Sequence, residues 1–366
     1  MTRKRVIVVG CGGFIGSHLL ERLLAAEVDG QPVYDVVGID TSTQKIAGLM
    51  DHPRMTFVKT YIDASNVEEV IGPHLNGCYA LFSLAAVCNP AEYVANPVFT
   101  IESNFIDSYK LVELCAKKQV WMLHTSTCEV YGRTLASYLD DNRYEDPKLY
   151  EQVEDQTPHL MGPTVNQRWC YAAAKALLER YIYANHTDRG LPFTIIRPYN
   201  WFGPRMDYIP GRDGEGTPRV MACFMKALLD KEPIQLVDGG TATRTVTYID
   251  DSVDALMRML ERPEQAQNTF FNIGNRKSEV TMAELASEMV EIYAEITGDP
   301  EVRNHPIRHV TGEEFYGPGY EDCDKRVPSV ARAEERLGWR PNNDLRQTLK
   351  KTMVYFHENY GVVKPA

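Results

Sequence analysis

"VVGCGGFIGSHL", residues 8–19, decides the fold. Gly10, Gly13 and Gly16 fall as GxxGxxG, directly after the apolar run "VIVVG" (6–10) and at the mouth of a helix-period segment. In that segment Ile15, Leu19, Leu20, Leu23 and Leu24 share one stripe. Glycine permits a tight turn and lets backbone N–H groups approach a pyrophosphate at the positive end of a helix. A Gly-rich turn alone would be unspecific. Here a strand precedes it, a helix follows, and an acid, Asp40, ends the second strand about 24 residues on, near the spacing a dinucleotide site requires.

Working outward, short apolar runs alternate with helix-period segments. "DVVGID" (35–40), "MTFV" (55–58), "YALFSL" (79–84), "VWMLHTS" (120–126) and "PFTIIRP" (192–198) read as buried strands, so the chain predicts an α/β, doubly wound parallel sheet of Rossmann type. Helices are expected over 103–117, where Phe105, Tyr109, Val112 and Ala116 recur, and over 171–186. Beyond 200 come a Gly/Pro-rich loop, a helix over 219–230, a strand in "PIQLVDGG", a strand leading to a helix in "TVTYIDDSVDALMRMLE", an amphipathic helix over 281–297 and an irregular stretch from "HPIRHV" to "KRVPS". The expected division is a cofactor domain over 1–200, joined by a returning segment near 244–275. A smaller C-terminal substrate domain takes 201–243 and 276–366.

The 366 residues carry a net charge of −11, which disfavours a nucleic-acid backbone as partner. No apolar run nears the roughly 20 residues of a membrane span. The eight cysteines show no CxxC and no metal-ligand spacing, and no signal peptide is read, so reduced thiols in the cytoplasm are expected. Asp40 would accept from the adenosine ribose hydroxyls and repel a 2′-phosphate, favouring NAD over NADP; a strand-end cap is its plain alternative. Asp63 is an adenine neighbour or a solvated turn acid. Phe14, Ile15, Ile62 and Ala85 complete the expected cofactor set.

Tyr171 and Lys175 of "YAAAK" stand at i, i+4 on one helix face. An adjacent ammonium and a cationic nicotinamide would lower a phenol that normally titrates near ~10 into a range useful for a base. Upstream, "HTSTCEVYG" (124–132) sets Thr127, Cys128 and Glu129 at a strand end.

With these residues the chain resembles the extended short-chain dehydrogenase/reductase family, and within it the group acting on UDP-glucuronic acid. The resemblance runs through "AAVCNPAEY", "STCEVYG", "QRWCYAAAK", "RPYNWFGPRMDYIPG", "LVDGG" and "EFYGPGYEDCDKRVP", nearly the whole chain, and is strongest to members that form UDP-apiose and UDP-xylose. Related decarboxylase domains typically carry Ser where this chain has Cys128. The resemblance implies oxidation at sugar C4, decarboxylation, ring contraction and re-reduction, with NAD recycled. It implies that Thr127 bonds the 4-hydroxyl while Tyr171 takes its proton. It places Arg326 at the sugar carboxylate and makes Glu129 an acid/base that shares a proton. Cys128 and Cys88 are expected to shuttle protons during ring contraction, a thiol near ~8.5 being closer to neutrality than a hydroxyl. The other six cysteines read as structural. For Arg326 the plain alternative is a surface salt bridge with Asp322 or Asp324; for Glu129 it is a turn cap.

For the nucleotide end, the resemblance implies Arg219, Arg244 and Asn200 at the diphosphate, Arg205 at the rim of the site, and Tyr316 or Tyr320 against uracil or in a lid. It also implies a homodimer, since Ala173, Leu177 and Tyr181 form one apolar stripe and Ala174, Leu178 and Ile182 a second. Burial under the 133–168 insertion is the competing explanation. The competing functions are a UDP-glucuronic acid decarboxylase stopping at UDP-xylose or the keto-pentose, a sugar-nucleotide 4-epimerase, and a non-catalytic NAD sensor.

Overall fold

The computed structural model describes residues 2–139, 144–317 and 321–361. Among them, seven parallel strands build the central sheet: β1 (Lys4–Val9), β2 (Tyr34–Asp40), β3 (Met55–Lys59), β4 (Cys78–Ser83), β5 (Trp121–Thr125), β6 (Phe193–Pro198) and β7 (Thr269–Ile273). Their order across the sheet is β3-β2-β1-β4-β5-β6-β7. Chain order reverses between β1 and β4, so the carboxyl ends of those two strands open the crevice where doubly wound sheets bind ligands.

Side-chain alternation along β1 shows why the runs are apolar throughout. Val6 and Val8 pack with Leu19, Leu20 and Leu23 of α1 (Phe14–Ala25) on one side of the sheet. Ile7 and Val9 pack on the other with Leu111 and Val112 of α2 (Asp107–Lys118) and with Leu178 and Ile182 of α3 (Cys170–Arg189). A strand covered on both faces has no polar side to show.

Three elements differ from expectation. The helix expected over 103–117 begins as a π turn, Glu102–Ile106, before α2. That turn carries Phe105, whose ring meets Tyr109 and Tyr181 at centroid distances of 6.2 and 6.3 Å. Strand β7 is not among the strands the apolar runs predict; "TFFNI" is too short for periodicity to separate it from the preceding helical segment. The stretch from "HPIRHV" is not wholly irregular, because Ile307–Val310 pairs in parallel with Ile234–Val237. Val220–Asp230 and Met282–Thr297 form as helices, the latter closed by a capping box between Thr281 and Glu284. Among the described residues no helix is long and apolar enough to cross a membrane.

Candidate active site

The glycine turn is sterically forced. Gly10 has φ +89°, and a Cβ there would sit 2.5 Å from Ala85 N. A Cβ on Gly16 would sit 2.2 Å from Gly10 O, so no larger residue lets α1 approach β1 this closely. Gly12, absent from the motif as read, is equally constrained: its Cβ would lie 2.1 Å from Ser42 O. Gly13 is the exposed N-cap of α1, and a Cβ there meets only an ordinary contact. Asp40 closes the turn by accepting from Gly12 N and Ser42 N, both at 2.9 Å. A cradle that a Cβ would fill, open backbone amides at a helix start and a carboxylate at the end of β2 together fit a dinucleotide. Phe14 and Ile15 continue from the cradle into the main cavity. Ile62 packs against the core. Asp63 builds a turn, accepting from Ser65 N, Ser65 Oγ and Asn66 N.

That cavity, about 680 Å³, lies over the carboxyl ends of the strands. Thr127, Cys128 and Glu129 enter it from a 3₁₀ turn after β5 (Cys128–Tyr131), and Thr127 Oγ1 caps the turn by accepting from Glu129 N at 3.2 Å. Tyr171 enters from the first turn of α3, its ring stacked on Tyr93 with centroids 4.6 Å apart and planes 9° from parallel. Lys175 lies one turn deeper and is 1% exposed; its Nζ donates to Thr125 O at 2.8 Å and to His124 Nε2 at 3.1 Å. Burial lowers Lys175 to about 8 despite the attraction of Glu179.

The acidic end of the site is a buried ion cluster. Arg168 grips Glu129 with two bonds, 2.7 and 2.9 Å, and Arg326 adds a third at 3.2 Å. Arg326 also reaches Asp322, which pairs with Arg244. Arg326 is 4% exposed, so the surface salt bridge is excluded. Among the described residues, Arg168 and Arg326 each keep a buried Nε with no hydrogen-bond partner.

Four expectations need correction. Glu129 is not a proton-sharing acid: burial pushes it up, but Arg168 and Arg326 outweigh that and hold it at about 2. The Cys128 thiol moves away from neutrality, since burial raises it to about 11, so it holds its proton rather than becoming a thiolate. The Tyr171 phenol lies well above its ordinary range, first because it is buried and then because of Cys88 and Glu129. Finally, Arg205 does not border the cavity; it forms a two-bond pair with Glu21 of α1, at 2.5 and 2.8 Å.

The remaining expected residues share the same cavity. Arg219, Arg244, Asn200 and Tyr316 all line it, as does the exposed Cys88. Arg219 pairs with Asp207, and Asn200, at φ +37°, donates to Thr245 O at 2.9 Å. Tyr320 lies outside the described residues.

The profile of the NAD dependent epimerase/dehydratase family matches residues 6–274. The chain belongs to that family. It is 43% identical to a UDP-D-apiose/UDP-D-xylose synthase of Oryza sativa subsp. japonica, covering 97% of this chain and 89% of that protein. It is 42% identical to UDP-D-apiose/UDP-D-xylose synthase 1 of Arabidopsis thaliana, covering 97% and 92%. Among solved structures, the PbgP3 protein of Burkholderia pseudomallei is similar, with a TM-score of 0.81 at 30% identity over 98% of both chains. The UDP-glucuronic acid 4-epimerase of Bacillus cereus, in complex with UDP-glucuronic acid and NAD, shares the fold with a TM-score of 0.77 at 21% identity, over 97% and 100%.

Membership fits the cradle and the Tyr171–Lys175 helix. Three cavity groups had no expected role. Arg168 stands three residues before Tyr171 within "QRWCYAAAK", and its guanidinium lies 5.5 Å from the centroid of the Tyr93 ring that stacks on Tyr171. Tyr93 ends "AAVCNPAEY" and needed the fold to reach α3. Asp322 was weighed only as a surface partner of Arg326.

Proposed function

We propose that this chain converts UDP-glucuronic acid to UDP-apiose and UDP-xylose, by oxidation at C4, decarboxylation, ring contraction and re-reduction. One observation carries the reading most. A single cavity joins the Tyr171–Thr127 pair to two buried guanidiniums with unspent N–H groups, and to the thiols of Cys128 and Cys88. The relatives that share these motifs at 42–43% identity are named for those two products.

NAD, held by the turn of Gly10, Gly13 and Gly16 with Asp40, would supply a hydride acceptor at C4 and return the hydride later. Tyr171 takes the proton of the 4-hydroxyl while Thr127 holds that oxygen. The ketone so formed is β to the carboxylate, so carbon dioxide leaves with its bonding electrons passing to the ketone oxygen. The Tyr171 hydroxyl then serves as donor to that oxygen, where charge develops. Arg326 and Arg168 orient the departing carboxylate. Glu129 acts by fixing both guanidiniums and not by carrying a proton. Cys128, protonated at neutral pH, donates S–H to the carbon or oxygen that becomes basic as the ring opens and recloses, with Cys88 on the same cavity wall. Arg219, Arg244 and Asn200 serve the UDP diphosphate, the arginines through the N–H groups their aspartates leave over. Tyr316 borders the nucleotide end. Arg205 has no part in this scheme.

Residues 1–200, with the returning segment near 244–275, form the dinucleotide half, and 201–243 with 276–366 the sugar-nucleotide half. The surface of α3 supports a homodimer. Leu177 is 50% exposed, and the segments 97–101 and 102–106 packed along α3 expose Val98, Phe99, Ile101 and Ile106. Among the described residues, the 133–168 insertion leaves Leu177 exposed. Leu177→Asp is expected to give a monomer in sedimentation velocity; an unchanged dimer would place the interface elsewhere. Eight unpaired thiols suit the reducing cytoplasm.

The test is incubation of the pure protein with UDP-glucuronic acid and NAD, with products read by NMR. UDP-xylose without UDP-apiose would remove ring contraction and leave a decarboxylase; epimerisation alone would remove both. In the same assay Cys128→Ser is expected to keep carbon dioxide release within about tenfold while shifting products toward UDP-xylose, because a hydroxyl is a poorer proton donor than a thiol. An unchanged product ratio would take Cys128 out of the ring contraction.

A further inference from the structure

His124 opens the stretch that leads to Thr127 and Cys128, yet no step of the scheme uses it. It sits in the interior strand β5, 1% exposed, with Ser83 directly opposite on β4. Its two ring nitrogens have one partner each: Nδ1 lies 3.3 Å from Ser83 Oγ, and Nε2 lies 3.1 Å from Lys175 Nζ. Burying an imidazole in a parallel sheet is costly unless both nitrogens are bonded, and here Lys175 supplies one of the two bonds. An ammonium can only donate, so Nε2 must be the acceptor and Nδ1 must carry the proton toward Ser83. With Thr125 O at 2.8 Å, His124 therefore occupies two of the three Lys175 N–H groups and fixes where the third points.

We propose that His124 is a positioning residue of the reaction, a permanently neutral imidazole whose Nε2 holds the Lys175 ammonium in its working orientation and charge state. The inference rests on the reading of Tyr171 and Lys175 as the proton-handling pair. The other charged or titratable groups around Lys175 are few. Tyr171 and Glu179 flank it on its own helix, Arg197 of β6 neutralises Glu179 through bonds of 3.0 and 2.6 Å, and Cys88 approaches from the loop after β4. None of these takes the place of the His124 acceptor. A histidine that merely filled the core would leave Lys175 unaffected when replaced by an apolar ring.

The experiment compares His124→Phe with His124→Gln in the NAD-loaded enzyme, measuring carbon dioxide release from UDP-glucuronic acid against pH. Loss of a bond to the ammonium disfavours its charged form. His124→Phe is therefore expected to move the alkaline limb of the rate profile down by about one pH unit and to cut turnover at pH 8 about tenfold, with KM nearly unchanged. His124→Gln, which returns an oxygen near the Nε2 position, is expected to recover most of both. An unmoved limb in His124→Phe overturns the proposal, whatever happens to its thermal stability. If that variant does not fold, the imidazole NMR below decides the proposal. A second readout needs no substrate: ¹⁵N NMR of the imidazole in the wild-type protein. A ring protonated at Nδ1 that does not titrate between about pH 5 and 8 is expected, and one that titrates near its ordinary value overturns the proposal. If the wild-type protein leaves UDP-glucuronic acid untouched while the NMR result holds, the substrate reading has failed and the His124–Lys175 arrangement has not.

Discussion

Tyr171→Phe is expected to lower carbon dioxide release from UDP-glucuronic acid by roughly 10²–10⁴-fold, the range removed with a general acid or base. The loss should fall on kcat, with KM nearly unchanged. Phenylalanine keeps the ring that stacks on Tyr93 at 4.6 Å, so the first turn of α3 and the cavity wall stay in place. What disappears is the phenol oxygen that, once ionised, takes the 4-hydroxyl proton and returns it to the ketone oxygen. Burial holds that phenol well above its ordinary range, so at neutral pH it is protonated until the bound substrate and cofactor change its surroundings. Steady-state kinetics with product trapping checks the effect; a loss under about tenfold would mean that the phenol does not carry the proton.

The second large effect is on stability. Glu129→Ala leaves Arg168 and Arg326, with side chains 3% and 5% exposed, without the carboxylate they share. Stranding a buried charge costs about 3–5 kcal/mol, and here Arg168 is stranded while Arg326 keeps only its longer contact to Asp322. Denaturant unfolding should show that loss, together with loss of activity. The pH dependence has a definite sign. Glu129 is held at about 2 in the folded protein, below the roughly 4.3 of an unfolded chain. Its contribution is therefore complete above the unfolded value and disappears as pH falls from there through about 2. The stability gap between wild type and Glu129→Ala should narrow on acidification across that window. A gap that stays constant there would show that the cluster does not depend on an ionised Glu129.

Local physics made the first half of the chain legible. The close approach of Gly16 to Gly10, the unbroken apolar run of β1 and the i, i+4 spacing of Tyr171 and Lys175 are all short-range features, and each is present in the structure. The failures came where charge and long-range packing decide. Nothing near Glu129 in sequence announces that Arg168, 39 residues on, and Arg326, 197 residues on, will close around it. A carboxylate beside a bound acid is expected to keep a proton, whereas one between two guanidiniums loses it. Cys128 likewise reads as tunable in a motif, but the fold buries it and the thiol rises. Arg205 sits in a stretch that promises the site, and its left-handed backbone, φ +66°, accompanies a pairing with Glu21.

The central claim is that a ketone at C4 makes the carboxylate leave. The most direct measurement is trapped carbon dioxide from the NAD-loaded enzyme, given UDP-glucuronic acid in one reaction and its 4-deoxy-4-fluoro analogue in another. Release from the first alone is the expected result, because the analogue has no 4-hydroxyl to oxidise. Release from both, or from neither, would contradict it.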